Sequence, residues 1–215
     1  MRVLVTGGSG VLGRATIPLL RTENHNVLAP TRTNLDLFDP KSVAEVVADT
    51  EAVLHLATRI PREDPHECPE AWRDNDRLRT EATRYLVDAS LTGDVGIYVQ
   101  PTVTFVYPTG SVDEDTPIGD VPTHLRSALV AEGEVLRFAA AGRTGVVLRL
   151  GLLDGGGSRL ESPSDVYGAT LHVEDAGAAL VAALAVPSGV YNVCRDGERV
   201  SNARFKRASG WRPEH

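Results

Sequence analysis

The stretch TGGSGVLG (6–13) closes the apolar run RVLVT (2–6) and opens a helical pattern at 11–21. Gly7 allows a tight turn, Gly10 lets the backbone come close to a pyrophosphate, and Gly13 lets the helix sit against the strand. The first amides of that helix, at Val11, Leu12 and Gly13, would then face the phosphates. Strand, glycine turn and helix in immediate succession therefore read as a dinucleotide-binding loop, where a merely structural turn needs none of this context.

Outward from that loop, β-rich apolar stretches alternate with helical patterns. The stretches NVLA (26–29), AVLHLA (52–57), VGIYVQ (95–100) and GVVLRL (145–150) join RVLVT as buried parallel strands. Helices are predicted at 11–21, 40–49, 70–90 and 123–141. Asp39 before Pro40 supplies an N-cap and an N1 proline, and Pro122 with Thr123 offers a cap for the last helix. Parallel neighbours need crossover helices, so the expectation is α/β, a doubly wound parallel sheet over 1–154. Gly155–Gly157 with Ser158 reads as a hinge before a short substrate-side segment at 155–215 that packs on the same domain. The irregular stretches 61–69 and 107–122 follow strands and project where ligands bind, which makes them candidate lids.

Composition narrows the function classes. A chain of 215 residues carrying a net charge of −7 lacks the basic face that a phosphate-backbone partner demands, so no nucleic acid is expected. It has no run of eighteen apolar residues and no leader-like start, so no membrane span is expected and the location reads as cytoplasmic. Its two cysteines, Cys68 and Cys194, stand in no metal or redox spacing, and no metal site is expected. Arg73, Arg77 and Arg84, interleaved with Asp74, Asp76 and Glu81, read as a solvated, salt-bridged helix face. His55 reads as a strand residue, His172 as a structural member of its segment, and His66 beside Cys68 as loop.

The spacing Gly7-x-x-Gly10-x-x-Gly13 after Thr6 resembles the short-chain dehydrogenase/reductase superfamily, and TGGSG its extended, epimerase/dehydratase-type branch. VLHLA (53–57) is similar to that branch's fourth strand, TRYLVDAS (83–90) to the next helix, VLRLG (147–151) to its Leu-Arg-Pro-Gly strand, LHVEDAGAAL (171–180) to its Val-His-Val-Asp-Asp segment, and GWRP (210–213) to its C-terminal region. The resemblance implies a Rossmann-type sheet, an NAD(P) cofactor, a small-molecule substrate and a homodimer through the helices at 70–90 and 123–141. Leu125, Leu129 and Leu136 could equally face the chain's own sheet. Where an acid would bind the ribose of NAD the chain reads Pro30-Thr31-Arg32, which favours NADP over NAD. Asp36 and Leu37 resemble the pair at the adenine, and Leu56, Ala57 and Thr58 would line the cofactor.

The superfamily's proton chemistry uses a tyrosine and, four residues on, a lysine that stabilises the phenolate; that spacing puts both on one helical face. LRSALVAEGEVL (125–136) resembles that helix, with His124 in the tyrosine's place and Ala128 in the lysine's. The chain's two lysines, Lys41 and Lys206, do not follow a tyrosine by four. Thr102 or Thr104 could serve as the substrate-binding hydroxyl, although counting from Tyr107 points to Val103; Tyr107 itself is a candidate replacement acid. His124 either shuttles a proton unaided, as an imidazole can near neutral pH, or is a helix-start residue left after catalysis was lost. Between Leu153 and Leu171 the branch inserts a larger substrate-covering region; here it is short, so either the lid is truncated or residues are missing. Three functions follow as expectations: an atypical NAD(P)-dependent oxidoreductase on a small molecule, a non-redox cyclase, isomerase or lyase, and an inactive nucleotide-sensing scaffold.

Overall fold

A computed structural model describes residues 1–61, 68–160, 162–163 and 168–215. The first strand, β1 (Arg2–Thr6), alternates its side chains between two apolar layers: Val3 and Val5 enter one cluster and Leu4 the other. It is followed by α1 (Val11–Thr22), β2 (Asn26–Leu28), α2 (Pro40–Val47) and β3 (Ala52–His55). A helical rod then comprises the 3-10 turn Pro69–Trp72, α3 (Arg73–Arg77), a π segment Leu78–Ala82 and α4 (Thr83–Thr92). β4 (Ile97–Val103), α5 (Thr123–Ala140), β5 (Thr144–Leu150), β6 (Leu152–Asp154), β7 (Thr170–His172), α6 (Val173–Ala182), β8 (Gly189–Val193) and α7 (Ala203–Ser209) complete the order.

Six strands form one parallel sheet in the order β2-β1-β3-β4-β5-β8, and β6 pairs with β7 in a two-stranded ribbon. This is the doubly wound arrangement expected. α1 and α6 cover one face, packed so closely that a Cβ on Gly177 would come within 2.9 Å of the Ala15 Cβ. α2, α4 and α5 cover the other, over Leu4, Val53, Tyr98 and Val147. Burial of each such Val or Leu contributes about 1.5–3 kcal/mol, so both layers are needed to hold the strand ends in place.

Three expectations change. The resemblance counts VLHLA as a fourth strand, but among the described residues no strand lies between Leu28 and Ala52, so β3 is third in the chain. The sheet also gains β8, which was not read from the sequence and which takes part of the segment after residue 155 into the main sheet. Thr123 does not cap α5: Pro122 holds the cap position, its carbonyl accepting from the Leu125 amide at 2.9 Å, and Thr123 is the first helical residue. Asp39 caps α2 as expected, accepting from the Lys41 amide at 3.0 Å. Of the α5 leucines, Leu125 is buried and Leu136 is exposed.

Candidate nucleotide and acceptor site

The glycine loop has the shape its sequence implies. Gly7 sits at φ +70° with its Cα against the backbone of Leu56 and Ala57, where a Cβ would lie 2.6 Å from the Ala57 nitrogen. At Gly13 a Cβ would be 2.5 Å from the Cα and carbonyl oxygen of Gly8, so only glycine lets α1 begin this close to the turn. Gly10 occupies the N-cap of α1 without a side-chain cap, and its amide donates to the Gly7 carbonyl at 2.9 Å. The first-turn amides of Val11, Leu12 and Gly13 therefore lack the usual side-chain acceptor, and the cradle in front of them suits a diphosphate. A dinucleotide fits these residues.

The loop after β2 turns back on itself, with the Thr31 carbonyl accepting from the Asn34 and Leu35 amides and the Thr31 hydroxyl 2.7 Å from that of Thr33. Arg32 stands exposed at its tip and makes no hydrogen bond or ion pair among the described residues. Asp36 spends one carboxylate oxygen on the Phe38 amide at 2.9 Å, beside half-buried Leu37. Leu56 is buried, Ala57 half-buried and Thr58 exposed, so the chain emerges from β3 alongside the glycine loop. Arg14, unremarked in the sequence, is also there: its Nη1 donates to the Ser9 carbonyl at 2.7 Å.

His55 is structural. Burial pushes its imidazole down to about 4, so it is neutral at physiological pH. Its Nε2 donates to the Leu78 carbonyl at 3.1 Å, which leaves Nδ1 to accept from the Thr6 hydroxyl at 2.6 Å. The Leu78 carbonyl opens the π segment and also accepts from the Thr83 hydroxyl at 3.3 Å. Strand β3 is thereby pinned to the rod that carries Trp72 and Arg79. Arg79 is buried, and its Nη1 has no hydrogen-bond partner among the described residues.

On the acceptor side the expected residues separate. His124, in the first turn of α5, is half-buried with its ring 5.4 Å from the Trp72 ring. Ala128 is fully buried one turn on. Thr102 is buried on β4 and donates to Glu132 Oε1 at 2.8 Å. Glu132 also receives Arg149 Nε at 3.0 Å and Nη2 at 2.6 Å, forming a buried pair that straps α5 to β5. Arg149 Nη1 donates to the Tyr107 hydroxyl at 2.7 Å, which donates in turn to Asn192 at 3.0 Å. Burial raises the Tyr107 pKa, so the phenol is a link in this network and poorly suited to proton transfer. Thr104 and Ser127 are buried with hydroxyls that have no partner among the described residues.

The helix face read as solvated is only partly so. Arg77 pairs with Glu81 at 3.0 Å, but Asp74 reaches across to Arg59 at 2.6 Å, and Arg73 faces a cleft beyond β3. His66, with most of the 61–69 stretch, lies outside the described residues. His172 caps α6 and stacks on His215 at 4.4 Å and 22°. Glu174 completes a potential donor group with them, all within 4.8 Å. A metal must lie in the plane of each imidazole that binds it, and two nearly parallel stacked rings do not converge on one point. Asp175, which accepts from the Glu214 and His215 amides and from His215 Nδ1, makes this cluster an anchor for the tail.

No helix among the described residues is long and apolar enough to cross a membrane. Comparison with known proteins agrees with the geometry of the glycine loop. Residues 3–168 match the family described as NAD dependent epimerase/dehydratase. The chain is 34% identical to a 3-diazoavenalumate denitrifying reductase from a Streptomyces species, over 91% of this chain and 76% of that protein. Among solved structures, UDP-N-acetylglucosamine 4-epimerase from Bacillus cereus superposes with a TM-score of 0.83 at 18% identity, over 100% of this chain and 94% of that one. RMD from Pseudomonas aeruginosa, complexed with NADPH, superposes with a TM-score of 0.77 at 22% identity, over 100% and 95%. With its sheet order, its glycine loop and these matches, the chain belongs to the NAD dependent epimerase/dehydratase family of oxidoreductase-type enzymes.

Proposed function

We propose that this protein is an NADPH-dependent reductase whose acceptor takes a hydride without needing a proton from the protein, and that a diazo group is that acceptor. The observation carrying this reading is the contrast between the two halves of the site. The dinucleotide cradle is complete, while fully buried Ala128 stands where a lysine would assist a proton donor, and the Thr102 hydroxyl is committed to Glu132. Reduction of a carbonyl leaves an alkoxide that must be protonated, which is the task of a tyrosine and lysine. An arenediazonium has no such need: with the hydride that a bound NADPH would supply delivered to the aryl carbon, a C–H bond forms as the C–N bond breaks, and Ar–N₂⁺ becomes Ar–H and N₂. The name of the 34%-identical relative, a denitrifying reductase, describes this kind of reaction.

On this reading the chain's own residues bind and orient. Arg32 takes the 2′-phosphate, which favours NADP over NAD; Val11, Leu12 and Gly13 hold the diphosphate by their amides; Trp72 and His124 form the wall against which the acceptor lies. Thr102 holds Glu132 and does not touch substrate. Exposed Val130 and Leu136 on α5 keep a homodimer within the proposal. The test is turnover of 3-diazoavenalumate with NADPH, measured as nucleotide oxidised against N₂ released. One-to-one stoichiometry that survives His124→Phe within about fivefold supports the reading. General-acid catalysis contributes about 10²–10⁴-fold, so a loss of that size in His124→Phe, or carbonyl reduction with no N₂ release, refutes it.

A further inference from the structure

Beyond the carboxyl end of β3 the chain walls a cleft of about 580 Å³. Arg59, Ile60 and Pro61 line one side and Ala71, Arg73 and Asp74 the other, with Arg159 reaching in from the turn after β6. It adjoins Leu56–Thr58 on the nucleotide side. The 3-10 turn on its far wall carries Trp72, whose ring packs on His124. A second concavity between α2 and α4, around Pro40, Ala44 and Asp88, lies on the flank of the sheet, away from the strand ends.

Among the described residues the charges that line the cleft do not cancel. Asp74 neutralises Arg59 at 2.6 Å. Arg159 donates to the Ile60 carbonyl and enters no ion pair among the described residues. Arg73 is exposed and enters no ion pair among the described residues, while the remaining lining carboxylate, Glu70, has the Cys68 thiol 3.8 Å away. Among the described residues that line it, the cleft sets three guanidinium groups, Arg59, Arg73 and Arg159, against two carboxylates, Glu70 and Asp74, in a chain whose net charge is −7. The planar fork of arginine matches a carboxylate bidentately, and Ile60, 45% exposed, offers apolar surface for the hydrocarbon attached to it.

We infer that this cleft is the subsite for a carboxylate on the acceptor, gripped by Arg73 and Arg159, so that the substrate class is an aromatic or unsaturated carboxylic acid. The inference rests on the acceptor-side assignment made under the proposed function, but its test does not need turnover. Calorimetry on the NADP-loaded protein compares 4-hydroxycinnamate, its neutral amide and inorganic phosphate. The acid is expected to bind at least tenfold more tightly than the amide. Arg159→Met and Arg73→Met should each weaken the acid about tenfold while leaving NADPH affinity and the melting temperature unchanged.

No measurable binding of the acid, equal binding of acid and amide, phosphate that matches and displaces the acid, or indifference to both substitutions would each overturn the subsite. Failure of the diazo reading looks different: acid binding with the expected variant losses, yet no N₂ from 3-diazoavenalumate. The opposite failure is N₂ release that proceeds equally with acid and amide forms of the substrate.

Discussion

Replacing Glu132 by glutamine leaves the Arg149 guanidinium charged in a site where the two side chains are 6% and 7% exposed. The carboxylate now accepts three hydrogen bonds, two from Arg149 and one from Thr102. A glutamine offers a single acceptor oxygen and turns an amide donor toward groups that are themselves donors. Breaking a buried pair in this one-sided way costs about 3–5 kcal/mol. At about 2–4 °C per kcal/mol for a chain of this size, Glu132→Gln should lower the melting temperature by roughly 6–20 °C. The double variant Glu132→Leu with Arg149→Met removes both charges and keeps the volume. It leaves only the Thr102 hydroxyl without a partner, at about 1–3 kcal/mol, because Tyr107 still donates to Asn192, so it should melt closer to the wild type than the sum of the single variants. Urea titration of the wild type, Glu132→Leu, Arg149→Met and the double variant gives the coupling energy, with Glu132→Gln measured beside them. A Glu132→Gln protein within 1 kcal/mol of wild type (about the uncertainty of such extrapolations), or a double variant as unstable as the sum, would refute the claim that this pair straps α5 to the sheet.

Gly13→Ala puts a Cβ 2.5 Å from Gly8, so α1 must back away from its turn; a stability loss of about 1–3 kcal/mol and at least a tenfold weaker NADPH complex are expected in calorimetry. Arg32→Ala should weaken NADPH by roughly 10- to 100-fold, from a charge-assisted bond of about 1.5–3 kcal/mol, and leave NADH unchanged. For His55 the folded value of about 4 lies below the ordinary 6.5, so between those values the unfolded chain binds the extra proton. Its contribution is complete above pH 6.5 and is lost as pH falls toward 4, by roughly 3 kcal/mol at about 1.36 kcal/mol per pH unit. Denaturant midpoints at pH 7 and pH 4.5 should accordingly differ less in His55→Gln than in the wild type, and equal differences would contradict the burial argument.

The parallel sheet was legible because its strands are short apolar runs between helical patterns and because TGGSGVLG allows so few alternatives. β8 was not read, although GVYNV is apolar apart from Asn192; it enters the sheet by pairing with β5 across a large loop in the chain. The π segment had no signal at all: LRTEA reads as ordinary helix, and the contact of the Leu78 carbonyl with His55 depends on another element. Thr102 was a reasonable candidate by position, but alternation along β4 points it into the layer beneath α5, where Glu132 takes its hydroxyl. The cleft was not legible, for the same reason as β8, although Arg73 itself was read as part of a solvated helix face. Arg59, Arg73 and Arg159 share no spacing, and only the packing of the β3 loop, the rod and the β6 turn brings them to one place.

On the proposed reading the nucleotide grip and a proton relay rest on different elements, so that one can be kept without the other. The grip depends on backbone: Gly7 against Ala57, Gly13 against Gly8, and uncapped amides at the start of α1. A relay would depend on two side chains in the first turns of α5. That helix is held in register one turn further on, by Glu132 to Arg149 and Thr102, and by Val135 and Phe138 in the core. Putting histidine at 124 and alanine at 128 therefore disturbs neither the sheet nor the cradle, and fully buried Ala128 leaves no cation where a lysine would need solvation or a partner. An acceptor that must be protonated would select against that change. One that departs as N₂ would not, and the free-energy cost of burying a lysine beside the core would then favour losing it.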